Sequence, residues 1–382
     1  MLLAYVVYLS LMTSLVITWR FAGPTGPTAH PALHRNLGWV SLALAMTVSV
    51  LLYGLVLGLR DNVGGDYQGY VSYYLGVVEG VRASDVPYER GFYWIIRALR
   101  AFQLPPATLF LVTCTLQMLF IAAWLRRHIV VASWYVYFFF TDLLVFESMN
   151  TIRQAIAAAI LLVAMPALFE KRFLRYVLLV CAAGLIHNSA LMFLPLYFFL
   201  DRDWVPNRLL QMGTLLLAYV VAYKISGQLF ALLPLLSLAL HYTAYAEVQD
   251  ALFFEKAVSG ISPGLIFIVL TDLFIMYSAP MLRRRFAGKG FRIYYNLYLI
   301  GALLTPFVLY TNYIPFARLA FSFTAFKPVV LSFVVTGWLH NKEGKYQLAM
   351  RLIVIALVAA YMLWFLMAIW NKAAWCAPFQ FI

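Results

Sequence analysis

Charged residues are scarce in this chain of 382 residues. Only 11% of the residues are Asp, Glu, Lys or Arg, whereas 64% are hydrophobic, and the mean hydropathy is +0.85. Soluble domains carry about 25% charged residues, so this chain has too little charge to cover a surface that faces water. The composition therefore excludes an ordinary soluble domain and predicts an integral membrane protein.

Cysteine is also rare, and the three residues, Cys114, Cys181 and Cys376, are far apart in the sequence. Because there is no CxxC pair and no Cys/His cluster, we predict neither a zinc site nor a disulfide framework. No cofactor is expected. The formal net charge is +13. Since Lys and Arg collect in the cytoplasmic loops of membrane proteins, we attribute this charge to topology and expect membrane lipids, not nucleic acid, as partners.

Runs of about twenty apolar residues recur along the whole chain. Each run is long enough to cross a hydrocarbon core of about 30 Å, and in lipid such a run satisfies its backbone polar groups only as a helix. The first run has no basic n-region and no cleavage site, so we predict a retained first helix and no signal peptide. The runs lie near 1–19, 37–59, 107–125, 129–146, 151–169, 173–200, 209–225, 262–282, 293–311, 317–338 and 352–370.

The basic clusters between these runs predict the topology, because they should face the cytoplasm. A single crossing at 173–200 would place the cluster at 283–292 outside. Two short helices, near 173–185 and 189–200, would instead form a hairpin that bends at His187 and returns to the cytoplasm. With this hairpin both termini are outside and all four basic clusters are inside. These clusters lie at 126–127, 171–175, 283–292 and 342–351.

We therefore predict an all-α polytopic integral membrane protein with about twelve membrane helices. Two of these helices form the hairpin, which is a short re-entrant-like pair. We predict one membrane domain, 1–382, with a first external loop at 60–106 and a second at 226–261. Arg284 and Asn341 are expected in the cytoplasm, and Asp66 and Glu255 outside. The apolar stretch 229–240 in the second loop is expected to lie in the membrane interface.

Charged side chains cluster at the start of the first external loop. The glycine pair before Asp66 permits a tight turn that brings Arg60, Asp61 and Asp66 close together. These three residues adjoin a membrane helix and are candidates for a functional site. Glu89 follows later in the loop, where a solvated loop with structural ion pairs is the competing interpretation.

A second candidate feature, 147–154, lies in a short external turn between two helices. Arg153 and Gln154 belong to the first turn of the following helix, where the helix dipole and free N–H groups favour an anion and disfavour a cation. An arginine at such a position is typical of a phosphate site, to which its forked guanidinium and the amides both donate. The alternative is that Arg153 pairs with Glu147 as a helix connector.

Two further residues lie on the same predicted side of the membrane. His187 is at the bend of the hairpin, where a packed histidine with satisfied nitrogens is the competing interpretation. Arg318 starts the penultimate helix. Arg153 and Arg318 are expected to line one basic external cavity that binds a diphosphate. Arg60 is expected near the mouth of this cavity.

The order of these motifs resembles the EpsG-type polysaccharide polymerases, which belong with the Wzy-type polymerases of O-antigen, capsule and exopolysaccharide assembly. The resemblance covers nearly the whole chain, with a doubled glycine, Gly64-Gly65, as the one departure. It rests on the Arg-Asp…Gly-x-Asp-Tyr loop of Arg60 to Tyr70, on Tyr88-Glu89-Arg90-Gly91-Phe92-Tyr93, on Asn150-x-x-Arg153-Gln154 followed by Ala155 and Ala157, on Ala183-x-x-x-His187-x-Ser189-Ala190, and on Arg318.

This resemblance implies a GT-C-like glycosyltransferase in the bacterial inner membrane. The implied reaction moves a growing glycan from undecaprenyl diphosphate to a lipid-linked repeat unit on the external face. The implied partners are that lipid-linked oligosaccharide and the chain-length regulator and flippase of the same pathway. It implies His187, Asp66 and Arg153 as catalytic residues, and as substrate-binding residues Arg60, Asp61, Tyr67, Glu89, Asn150, Gln154 and Arg318.

Alternatives remain at the level of the sequence. Another glycosyltransferase with a lipid donor, such as an O-antigen ligase, would need the same arginines, although such enzymes usually carry a larger external loop. A polysaccharide transporter would carry charges along a central passage, whereas these charges gather on one face. The base is also open. An unperturbed pKa of about 6.5 suits histidine for this task, so we favour His187 over Asp66.

Overall fold

The computed structural model of the chain is helical, and it describes residues 1–22, 31–76, 89–204, 207–239, 262–311, 314–341 and 346–382. The described residues contain no strand, only an isolated β-bridge between Arg60 and Phe381. The all-α prediction is confirmed. The α-helices are α1 Leu2–Phe21, α2 Pro31–Gly58, α3 Tyr67–Gly76, α4 Arg90–Ala101, α5 Ala107–Leu125, α6 Ile129–Thr141, α7 Leu144–Asn150, α8 Ile152–Phe169, α9 Phe173–Ile186, α10 Arg208–Ala239, α11 Pro263–Arg285, α12 Phe291–Thr311, α13 Ile314–Thr324, α14 Lys327–Leu339 and α15 Gln347–Trp370.

Nine helical stretches among the described residues are long and apolar enough to cross a membrane. A tenth is added if α6 and α7, which meet at a 64° bend, form one broken span. The predicted number of about twelve is not confirmed, because both halves of the hairpin are shorter than a span; α9 has 14 residues and the helical segment after it, Asn188–Phe198, is shorter still. The chain is therefore a multi-pass membrane protein with nine or ten candidate spans.

The hairpin itself is present. Helix α9 ends beside His187, whose backbone is extended at φ −155° and ψ 119°. The rings of Phe173 and Phe198, which lie at the two ends of the hairpin, have centroids 6.1 Å apart. The hydroxyl of Tyr176 also donates to the carbonyl oxygen of Phe193 at 2.6 Å. The chain thus doubles back at the position that the sequence predicted.

The helices form two compact units. The first comprises Met1–Phe198 and Leu331–Ile382, and the second comprises Phe199–Val330. The prediction of one membrane domain stays a prediction. The first external loop, predicted at 60–106, contains the helices α3 and α4.

The second predicted loop, 226–261, begins within α10, because this helix continues to Ala239. The rest of this loop, including Glu255, lies outside the described residues, as does Tyr88 of the first loop.

Helix α8 forms the core of the first unit, and 83% of its span is buried. It packs against α5 and α9. Small side chains permit close approach of membrane helices, and the buried face of α8 is rich in them: Ala155, Ala157, Ala158, Ala159, Ala164 and Ala167. Helices α2 and α5 approach similarly at Gly58, where a Cβ atom would lie 2.6 Å from the Cα atom of Leu111.

The segment after α15 folds back onto the start of the first external loop. The backbone N–H of Gly64 donates to the carbonyl oxygen of Trp375 at 2.9 Å, and that of Asp61 donates to Gln380 at 3.0 Å. The hydroxyl of Tyr8 holds the same segment through the carbonyl oxygen of Cys376 at 2.6 Å. The loop that carries Asp66 is therefore fixed by residues more than 300 positions away, which the sequence did not predict.

The second unit contains a buried charge pair. The Asp272 side chain on α11 is 2% exposed, and its Oδ1 atom lies 3.2 Å from Nζ of Lys327. The hydroxyl of Tyr298 donates to the same oxygen at 2.9 Å. A charge within a helix of membrane length is expensive unless it is paired, so Lys327 and Tyr298 stabilise the buried charge of Asp272.

Candidate active site

Glycine permits the close approach that builds the candidate site. Helix α4 begins after Glu89, and its second residue, Gly91, packs against the last turn of α9. A Cβ atom on Gly91 would lie 2.6 Å from the carbonyl oxygen of Leu185. Any larger residue would therefore push the two chain segments apart. The missing side chain brings Glu89 next to His187.

The carboxylate of Glu89 connects three helices at this point. Its Oε1 atom lies 2.9 Å from Nδ1 of His187, at the end of α9, and accepts from the backbone N–H of Asn188 at 3.1 Å. Its Oε2 atom pairs with Nη1 of Arg153, in the first turn of α8. These side chains are largely buried, with exposed fractions of 9% for Glu89, 13% for Arg153 and 7% for His187. We call Glu89, Arg153 and His187 the Glu89 cluster.

The partners of Glu89 keep it ionised. Burial alone would raise the pKa of this carboxyl, but the hydrogen bond with His187 and the positive charge of Arg153 outweigh burial and lower the pKa to about 2. At neutral pH the carboxylate therefore only accepts hydrogen bonds. Since Nδ1 of His187 faces an acceptor, this nitrogen carries the proton of the neutral imidazole, whose lone pair is then on the second ring nitrogen, Nε2.

The Nε2 atom of His187 is buried and has no hydrogen-bond partner among the described residues. A packed histidine with both nitrogens satisfied was the competing interpretation of this residue, and among the described residues the structure shows a hydrogen-bond partner for Nδ1 alone. Buried polar atoms without partners are uncommon in native structures and call for an explanation, such as a catalytic role. Within the Glu89 cluster, His187 thus has the geometry of a base held by a carboxylate.

Arg153 lies where the sequence predicted it, as the second residue of α8. Its ion-pair partner is Glu89, 64 positions earlier, and not the neighbouring Glu147 that the sequence offered as an alternative. The guanidinium also lies over the ring of Phe92, with its carbon atom 5.9 Å from the ring centroid. A cation at the positive end of a helix is unfavourable by itself, so these contacts hold Arg153 in place.

Asn150 joins the first loop to the turn before α8. Its Nδ2 atom donates to the carbonyl oxygens of Phe146 at 3.1 Å and Ala374 at 3.0 Å, and its Oδ1 atom accepts from the backbone N–H of Asp66 at 3.4 Å. Gly64 lies beside the same oxygen with a φ of 107°, a conformation that favours glycine. The first glycine of the pair therefore has a conformational reason, and Asn150 positions Asp66.

Glu147 was not among the predicted site residues, although it lies in the same turn. It is exposed and interacts electrostatically with Asp66. Its carboxylate has no hydrogen bond or ion pair with any residue in the described part of the chain. Glu147, before α8, and Asp66, in the first loop, are thus neighbouring carboxylates, and the only sequence signal for this pair was the presence of a Glu in a very short external turn.

Arg60 is placed differently from the prediction. We expected Arg60 near the mouth of a basic cavity, but its exposed fraction is 0%. Its guanidinium donates to the carbonyl oxygens of Leu57 at 2.6 Å, Val63 at 3.0 Å and Met149 at 2.9 Å. Backbone carbonyl groups at the end of α2 and of α7 have taken the donors that a diphosphate would need. In this structure Arg60 is a structural link between the first loop and α7.

The remaining predicted site residues of the first unit are Asp61 and Tyr67 in the first external loop and Gln154 on α8. The hydroxyl of Tyr67 donates to Oδ1 of the exposed Asp61 at 3.4 Å, and its ring stacks on Phe110 at 4.3 Å. Burial and the charge of Asp61 raise the pKa of Tyr67. Gln154 follows Arg153 on α8 and is 3% exposed.

Arg318 belongs to the second unit. It is the fifth residue of α13, which begins at Ile314, so it lies one turn further into the helix than predicted. Its predicted place in one cavity with Arg153 stays a prediction. Among the described residues, no group of three or more His, Cys, Asp or Glu side chains lies close enough together to hold a metal ion.

Comparison with known proteins identifies the family of this chain. A search of the curated proteins and a search of the solved structures each gave no match. The family model of the EpsG family matches residues 43–381, which include every part of the Glu89 cluster. The match extends over far more than half of the chain. The chain therefore belongs to the EpsG family, the family of Wzy-type polysaccharide polymerases.

Proposed function

We propose that this protein polymerises polysaccharide repeat units on the external face of the bacterial inner membrane. The donor is a growing glycan on undecaprenyl diphosphate, and the acceptor is a single repeat unit on the same lipid. The enzyme is a glycosyltransferase with a GT-C-like arrangement of helices. It works next to the flippase that supplies the repeat units and to the regulator that limits the chain length.

One observation supports this proposal beyond family membership. The Glu89 cluster places an imidazole with a free nitrogen and a guanidinium on the same carboxylate. Transfer from a diphosphate needs a base for the acceptor hydroxyl and a cation for the leaving group. Both groups are buried together, where electrostatic interactions are stronger than in water.

The proposed step forms a bond between the acceptor hydroxyl oxygen and the anomeric carbon of the donor. The bond between that carbon and the diphosphate oxygen breaks, and the leaving undecaprenyl diphosphate takes the electron pair. Nε2 of His187 takes the hydroxyl proton. Arg153 neutralises charge on the diphosphate, for which its forked donors are suited.

The carboxylates near Asn150 fit the acceptor side of the reaction. Asp66 and Glu147 present oxygens that accept hydrogen bonds from sugar hydroxyls. In this proposal Asp61, Tyr67 and Gln154 line the path of the glycan.

Deletion of the gene tests the proposal. Gel analysis of the cell's polysaccharide should show that long chains disappear and that single repeat units remain. Unchanged long chains would contradict a polymerase. Loss of glycan from a second acceptor with chain length unchanged would indicate a ligase, and loss of repeat units from the external face would indicate a transporter.

Complementation with variants tests the choice of base. His187→Ala should restore no long chains at normal membrane expression. Asp66→Asn keeps the size of the side chain and removes its charge, so it should retain part of the polymer if Asp66 only binds the acceptor. Polymer from His187→Ala together with none from Asp66→Asn would transfer the role of base to Asp66.

A further inference from the structure

Glu89 was predicted as a substrate-binding residue, but its oxygens are directed toward the protein. Oε2 pairs with Arg153, and Oε1 faces Nδ1 of His187 and the backbone N–H of Asn188. With three partners around two oxygens and a side chain 9% exposed, little of the carboxylate remains for a sugar. Its contacts instead act on the two residues that the proposed reaction uses.

Histidine exists in two neutral tautomers, and only one of them has a lone pair on Nε2. A partner at Nδ1 decides which tautomer is present. A carboxylate at 2.9 Å accepts and does not donate, so it selects the tautomer with the proton on Nδ1. The lone pair is then on Nε2, the buried atom of His187 that has no partner among the described residues.

The negative charge of Glu89 has a second effect during the reaction. When Nε2 takes a proton, the imidazole becomes a cation within a buried site, which is costly without a counter-charge. Glu89 supplies that charge at hydrogen-bond distance. Arg153 pairs with the other oxygen of the Glu89 carboxylate, so Glu89 also holds Arg153 beside His187.

We propose that Glu89 is a positioning residue, which fixes His187 as the Nδ1–H tautomer, stabilises its protonated form and holds Arg153 beside it. This inference rests on the proposed function, because it assigns Glu89 to the base and the cation of that reaction. A purely structural ion pair is the alternative. The two differ in one respect, since only the positioning role predicts that a folded Glu89→Gln changes the tautomer of His187 and loses polymer synthesis together.

Nitrogen NMR of the purified full-length protein, labelled with 15N-histidine, reports this tautomer directly. The signals of His187 are identified by their loss in His187→Gln. We expect Nδ1 to be protonated and Nε2 unprotonated in the wild-type protein. In Glu89→Gln the amide both donates and accepts, so the tautomer should become mixed or reversed. Glu170→Gln, which loses ion pairs with Arg127 and Arg172 at the surface, should leave the His187 signals unchanged.

Polymer synthesis provides the second measurement. Glu89→Gln should lower it by roughly 10²–10⁴-fold, the usual contribution of a positioned acid or base, whereas Glu170→Gln should not. A wild-type spectrum with the proton on Nε2 and none on Nδ1 overturns the inference, and this result does not depend on how any variant folds. A folded Glu89→Gln that keeps the tautomer, or that makes as much polymer as the wild-type protein, also overturns it. If the tautomer changes as expected but deletion of the gene leaves long chains intact, the proposed function fails and the positioning of His187 stands.

Discussion

Arg153 lies in the first turn of α8, where a cation is unfavourable unless an anion is close. Glu89 is that anion in the structure. In the proposed reaction the diphosphate is the second anion, and a guanidinium has enough donors to serve both. The position of Arg153 therefore matters in two ways, for the fold through Glu89 and for the reaction through the leaving group.

Substitution of Arg153 separates these roles. Arg153→Lys keeps a positive charge for Glu89 but loses the forked donors, so it should express normally and restore little polymer in a deletion strain. Arg153→Ala should abolish polymer, and because it leaves Glu89 without its cation it should also destabilise the protein by about 3–5 kcal/mol. Arg127→Lys, at an exposed ion pair, is the matched control and should be neutral. Full polymer synthesis by Arg153→Lys would contradict the assignment.

The low pKa of Glu89 predicts how stability depends on pH. A carboxyl whose folded-state pKa is lowered stabilises the protein above its unfolded pKa, and that stabilisation is lost as the pH falls through the folded pKa. For Glu89 the unfolded-state pKa is 4.5 and the folded-state pKa is about 2. The midpoint of thermal unfolding of the purified protein should therefore exceed that of Glu89→Gln at pH 4.5, and the margin should shrink as the pH falls toward 2. A margin that grows between pH 4.5 and pH 2 would show that the cluster does not hold Glu89 ionised.

At the scale of elements, the Glu89 cluster depends on the contact between the start of α4 and the end of α9. Two sequence features, neither of them charged, make this contact possible. Gly91 leaves room for the carbonyl oxygen of Leu185. The hairpin then ends α9 at Ile186, so His187 and the N–H of Asn188 face Glu89.

Gly91→Ala tests this contact. The new Cβ atom would meet a backbone oxygen at 2.6 Å, which cannot rotate away, so α4 must shift. We expect a loss of about 1–3 kcal/mol, as for other overpacked sites, and a strong loss of polymer, because Glu89 moves with the helix. Gly69→Ala on α3 is the control, since a Cβ atom there has nothing within 4 Å. Equal polymer from both variants would show that the close approach is not needed.

At the scale of the whole molecule, the position of the hairpin predicts the topology. The predicted topology places the cluster at 283–292 in the cytoplasm, because the hairpin would return the chain to that side. In a background without Cys114, Cys181 and Cys376, an impermeant thiol reagent applied from outside should label Gln68→Cys, which is exposed on α3. It should not label Arg284→Cys until the membrane is made permeable. External labelling of Arg284→Cys would show that the chain does not follow the predicted topology.

The sequence determined the class and most of the helices. Low charge and recurring apolar runs require helices in lipid, and the all-α structure has nine or ten candidate spans. The hairpin was also predictable, because the positions of the basic clusters required an extra turn of the chain. The number of spans was not predictable in this way, because α9 has the apolar composition of a membrane span but only 14 residues.

The tertiary structure decided which candidate residues meet. Composition and spacing placed Glu89, Arg153 and His187 in three different segments, and nothing local indicates that one carboxylate joins them. The position of Arg60 was mispredicted for the same reason. Its charge predicted a ligand site, but its donors bind the carbonyl groups of Leu57, Val63 and Met149. Hydropathy and charge act along the chain and can be read from it, whereas the partner of a buried charge depends on which segments pack together. That packing is determined here by a missing side chain at Gly91 and by the bend at His187.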